Sequence, residues 1–159
     1  MKAAKPQVAE AGIQVKVQKK EARFKRIRVP GPDAGIGEFF LLIDITAAGG
    51  DVYIPISIAS GKKPTGFVYQ IEGTKEGTIS TTSISCKGVG VTQITLGTIL
   101  YCKIPAGKTA SFRILIEMKG KVGSEYGVAI NRINYKRDPS DARYKQFLEL
   151  LPGKYLKFG

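Results

Sequence analysis

Histidine and tryptophan are absent from this chain of 159 residues. Without His there is no Ser-His-Asp or Cys-His catalysis, no His-ligated zinc or haem, and no imidazole pH switch. Without Trp the strongest stacking side chain for a sugar or a base is missing. Only two cysteines are present, too few for a four-ligand zinc site. Long apolar runs are missing too. The longest, Phe39 to Ile43, is far short of the roughly twenty residues that cross a bilayer as a helix, so no membrane span is expected. Met1-Lys2-Ala3-Ala4-Lys5 is charged like the start of a signal peptide, but no apolar stretch follows, so none is visible in this chain.

Acidic residues are scarce relative to basic ones, 13 against 25, for a net charge of +12. The excess sits at the ends. Residues 1–30 hold nine basic and two acidic side chains, whereas residues 31–130 hold nine and eight. Such ends attract a polyanion: nucleic acid, an anionic cell-wall polymer or acidic lipid head groups. A high charge also keeps a secreted domain soluble, with no partner implied. The densest basic run is Lys16, Lys19, Lys20, Arg23, Lys25, Arg26 and Arg28, interleaved with Phe24 and Ile27. A basic strand of this kind can follow a phosphate backbone.

Apolar residues make up 43% of the chain, enough for a packed core. Their spacing alternates. Ile13, Val15 and Val17; Phe39, Leu41, Ile43 and Ile45; Val52, Ile54, Ile56 and Ile58; and Ala110, Phe112, Ile114, Ile116 and Met118 each line one side of an extended segment. Shorter strands are expected around 80–86, 91–96 and 100–104. Pro55 cannot donate to a ladder, which predicts an edge or a bulge there. Tyr126, Val128 and Ile130 are even, Ile133 and Tyr135 odd. The slip predicts a β-bulge near Asn131 and Arg132. Gly/Pro turns separate the segments, as in an all-β sandwich.

The end of the chain reads differently. Asp138-Pro139-Ser140-Asp141 is a helix-entry signal, and Tyr144, Phe147, Leu148 and Leu151 fall on one helical face. A short C-terminal helix is expected, capping the sandwich or docking onto a neighbouring domain or subunit. The organisation predicted is a flexible basic lead-in over 1–12, a β-sandwich domain over 13–136 and a helical tail over 137–159.

Motifs of chemistry are incomplete. Ala106-Gly107-Lys108-Thr109 ends like a P-loop, but Cys102 stands where the first Gly belongs and a strand follows instead of a helix. Gly35-Ile36-Gly37 and Gly88-Val89-Gly90 lack the third Gly of a dinucleotide fingerprint. Asp44 and Asp51 flank a Gly-Gly turn, and turn residues are the simpler reading there than calcium ligands. No catalytic, cofactor-binding or metal-binding residues are assigned, and no enzyme is expected. Cys86 and Cys102 either pair or remain two buried thiols. Pairing would close a loop worth about 3 kcal/mol and imply an oxidising compartment.

Gly49-Gly50-Asp51-Val52-Tyr53-Ile54-Pro55, the run Ile104-Pro105-Ala106-Gly107-Lys108-Thr109 into Phe112-Arg113-Ile114, then Tyr126-Gly127-Val128 and Ile133-Asn134-Tyr135, together resemble immunoglobulin-like β-sandwich domains near the ends of bacterial surface proteins. Some of those domains lie beside peptidoglycan-binding modules. The resemblance covers about residues 38–136. It implies a non-catalytic spacer, adhesive unit or assembly unit.

The expected fold is an all-β, immunoglobulin-like or jelly-roll-type antiparallel sandwich with a short C-terminal helix. The expected function is a cell-surface or extracellular structural, adhesive or assembly module without a cofactor. Its basic ends would meet an anionic cell-wall polymer, nucleic acid or neighbouring subunits, with a homo-oligomer as one form of assembly. Two alternatives stand beside it. One is a virion coat or decoration protein whose basic arm contacts nucleic acid. The other is a carbohydrate-binding sandwich with Tyr53, Tyr69 and Tyr101 as platforms.

Overall fold

Strict alternation builds most of the molecule. The computed structural model describes residues 12–26, 34–58, 66–73 and 77–158. Residues 1–11 of the lead-in expected over 1–12, and Arg28, lie outside the described residues, as does the side chain of Arg26. Eleven strands are defined among the described residues: β1 (Ile13–Arg26), β2 (Ala34–Ala47), β3 (Val52–Ile58), β4 (Phe67–Gly73), β5 (Thr78–Lys87), β6 (Thr92–Leu96), β7 (Ile99–Ile104), β8 (Thr109–Lys121), β9 (Glu125–Tyr135), β10 (Lys145–Phe147) and β11 (Leu156–Lys157). All pairings are antiparallel.

The first sheet runs β1-β2-β8-β5, the second groups β10, β11 and β4 around β9, and the third runs β3-β7-β6. A bridge from Tyr53 to Lys136 ties the third sheet to the end of the second. One buried cluster draws side chains from all three: Phe39, Ile43, Phe112 and Ile116 from the first, Tyr126, Val128 and Ile133 from the second, Ile54, Cys102 and Ile104 from the third. Burying each large side chain contributes about 1.5–3 kcal/mol, so this cluster dominates the stability of the fold.

Bulges re-aim the strands. The β9 register skips Asn131, with Val68 opposite Arg132 and Tyr69 opposite Ile130. That restores the inward set after the slip in parity. The β3 register shifts between Pro55 and Ser57, next to the residue that cannot donate. A third shift, at Gln18 between Val17 and Lys19, falls within β1. It turns Ala22 and Phe24 inward after Ile13, Val15 and Val17.

The expected C-terminal helix is absent; no helix occurs among the described residues. Tyr144, Phe147, Leu148 and Leu151 do not share a face. Phe147 and Leu151 are buried, Tyr144 is half-buried, and Leu148 is 69% exposed. β10 pairs with Ile133–Tyr135, Leu151 bridges Ile130, and β11 pairs with Glu125 and Tyr126. Packing decides against the helix. Asp138 Oδ1 accepts from the Ser140 amide and hydroxyl at 2.9 and 2.8 Å, a local turn that a helix entry would also use, so the difference arises further along the chain. A helix confined between Pro139 and Pro152 would be marginal alone, whereas the extended chain satisfies the β9 backbone and delivers Phe147, Leu151 and Phe158 to the core.

Candidate interaction surfaces

The basic run from Lys16 to Arg26 lies on β1, an edge strand of the first sheet. Because of the bulge at Gln18, Lys19, Glu21, Arg23 and Lys25 stand opposite Leu42, Phe40, Glu38 and Ile36. Glu38 is the hub. Arg23 donates to its Oε1 through Nε at 3.0 Å and Nη2 at 2.5 Å, and Lys25 Nζ lies 3.2 Å from Oε2. The Arg23 hydrogen bonds, followed by Lys25, hold the Glu38 carboxyl below the usual carboxylate range against the opposing effect of burial.

Five of the seven predicted polyanion contacts have described side chains. Lys16, Lys19 and Lys20 are exposed, and Lys19 also pairs with Glu21 at 3.3 Å. Arg23 and Lys25 are shared with Glu38. The outer face of the first sheet is therefore a mixture of signs rather than a continuous basic stripe. It carries an apolar centre, with Phe40 opposite Leu115 and the Arg113 guanidinium 5.3 Å from the Phe40 ring centre. A shallow depression of ≈ 530 Å³ lies here, lined by Glu21, Arg23, Glu38, Phe40, Leu115 and Lys154 among others.

A second cluster joins aromatics and lysines. Tyr53 of β3 and Tyr101 of β7 meet edge to face at 6.3 Å, Lys103 lies over Tyr53 at 5.8 Å, and Lys136 lies over Tyr144 at 4.6 Å. Burial pushes the Tyr101 hydroxyl up to about 12, helped by its hydrogen bond with Tyr144. Tyr101 is buried, and Tyr69 packs against the core with its hydroxyl shielded. Burial also raises the Tyr69 hydroxyl well above its ordinary value. Of the three proposed sugar platforms, Tyr53 alone keeps partial exposure among them without a buried hydroxyl or ring.

Cys86 of β5 and Cys102 of β7 are joined by a disulfide, with Cα atoms 6.5 Å apart. The bond links the first sheet to the third. Gln93 of β6 reaches back to the Cys86 carbonyl at 3.4 Å.

Several residues are structural where their charge drew attention. Asp44 accepts from Ser111 and Gln18, both at 2.7 Å, and Asp51 accepts from the Ala106 amide at 2.9 Å. Among the described residues, no three His, Cys, Asp or Glu side chains gather as a metal site would require. The turn at Pro105–Gly107 is closed by the Lys108 amide on the Pro105 carbonyl at 2.9 Å. Arg137 donates to the Ala48 and Gly50 carbonyls at 2.5 and 3.0 Å, pinning the turn between β2 and β3. Sequence reasoning missed Glu38 and Arg137. Their partners are distant in sequence: the β1–β2 register brings Arg23 and Lys25 to Glu38, and the Tyr53–Lys136 bridge lies beside the contact of Arg137 with the turn.

Comparison with protein-family models, with curated proteins and with solved structures finds no match to this chain.

Proposed function

We propose that this chain is a non-enzymatic structural and assembly module of a cell surface, built as an immunoglobulin-like or jelly-roll-type β-sandwich. The observation that carries this reading is the Cys86–Cys102 bond between two sheets. Such bonds persist outside the reducing cytosol and staple small extracellular domains. The core shared by three antiparallel sheets supports the sandwich reading. The exposed amines of Lys16, Lys19 and Lys20 supply the contact to an anionic polymer.

Labelling intact producing cells with a membrane-impermeant amine reagent tests the location. The reading expects modified Lys16, Lys19 or Lys20 before any lysis. Modification only after lysis contradicts it.

A further inference from the structure

We propose that β6 is the seam by which two copies of this chain join, strand against antiparallel strand, across the open edge of the third sheet. The inference rests on the reading of the chain as an assembly module and names the surface that assembles. Strand β6 pairs with β7 on one side and with nothing on the other among the described residues. Its outer backbone groups are therefore a template for another strand.

Both edges of the first sheet are guarded. β1 carries Lys16, Lys19, Lys20 and Lys25 and a bulge at Gln18. β5 has a register shift between Ile79 and Thr81 and ends on Lys87. β6 has neither device. No charged residue lies between Lys87 and Lys103, the longest uncharged stretch in the chain. It holds no proline either. Val89 is 84% exposed beside the strand and Leu96 44% exposed at its end, apolar surface that a facing strand would cover.

The occupant follows from charge. Copies carrying +12 repel one another over most of their surface. Close approach is cheapest where charge is absent, and β6 lies in that stretch. A two-fold axis through Ile94 sets Thr92 against Leu96 and Gln93 against Thr95 of the second copy. No like charges meet, and the contact is self-complementary, as a closed dimer requires. Five residues make a small interface, below the roughly 1,200 Å² of a stable complex, so the dimer is weak and concentration-dependent.

Light scattering of the full oxidised chain over a concentration series, at about 0.15 M and then about 0.5 M NaCl, tests this. The expected mass climbs from monomer towards dimer, and the higher salt promotes it by screening the self-repulsion. Thr92→Lys and Thr95→Lys, both at exposed positions, weaken association by about tenfold or more. Leu148→Lys, exposed elsewhere, leaves it unchanged. A monomer at every concentration overturns the proposal. So does a dimer that ignores both β6 lysines, is lost in Leu148→Lys, or weakens with salt. Should the lysine variants fail to fold, amide exchange on the wild type decides. Slowing at Gln93–Thr95 with rising concentration supports the seam, and no slowing there overturns it. Cell-surface labelling reads location and not mass, so it can fail independently of this result.

Discussion

The ring of Phe158 fills the space above Gly37: a Cβ built on Gly37 would lie 2.6 Å from Phe158 Cζ. Gly120 on β8 gives way in the same manner, with a virtual Cβ 2.7 Å from Phe158 Cε2 and 2.6 Å from Tyr126 Cε2. Phe158 is fully buried, 4.7 Å from the Tyr126 ring centre and 5.3 Å from that of Phe24. Two strand glycines thus make a socket for an aromatic near the end of the chain. Phe158→Ala should cost about 3–5 kcal/mol in urea unfolding. Gly120→Ala should also destabilise, because the clash is with two packed rings. A loss below about 1 kcal/mol for Phe158→Ala would show that the ring is not packed there.

The tail distinguishes strand from helix by two neighbouring residues. Leu148→Asp should be nearly neutral, since the side chain is 69% exposed, whereas Phe147→Asp should abolish or severely weaken folding. Thermal unfolding of both variants reads this. Equal damage from the two would favour the helical face.

Glu38 ties stability to pH. Its folded carboxyl is held below its ordinary value, so the unfolded chain takes up the proton first as pH falls. The contribution is complete above the unfolded value of about 4.3 and is lost as pH drops through the lower folded value. Arg23 and Lys25 are largely exposed, so the gain is about 1 kcal/mol or less. The stability difference between wild type and Glu38→Gln should be flat at neutral pH and shrink in acid. A difference that grows in acid has the wrong sign for this pairing.

Strands whose apolar residues alternate were legible from the sequence, and β8 is the plainest: Ala110, Phe112, Ile114, Ile116 and Met118 are all buried. The bulge at Asn131 was legible because one extra residue changes odd to even. The bulge at Gln18 was not, because the residues after it are mostly charged and only Ala22 and Phe24 carry the switch from odd to even. Without it, the pairing of Arg23 and Lys25 with Glu38 has no visible cause. The tail misled because Phe147 and Leu151 are four apart, a spacing that suits a helix turn and equally two residues on one side of an extended chain. Only contact with β9 decides between them, and sequence spacing carries no record of that contact.

The disulfide should matter to stability as well as to location. A chain with both Cys86→Ser and Cys102→Ser should lose about 3 kcal/mol, the loop-closure contribution for residues 16 apart. Chemical unfolding of the oxidised and double-variant chains, compared without reductant, measures it. An unchanged unfolding midpoint would contradict a role for the bond in holding the sheets together.

The most direct test is a peptide map of protein taken from the cells that make it, with free thiols alkylated before extraction. One peptide pair linked through Cys86 and Cys102, with no alkylated cysteine, is the result expected of a stapled extracellular module. Two alkylated cysteines would contradict it.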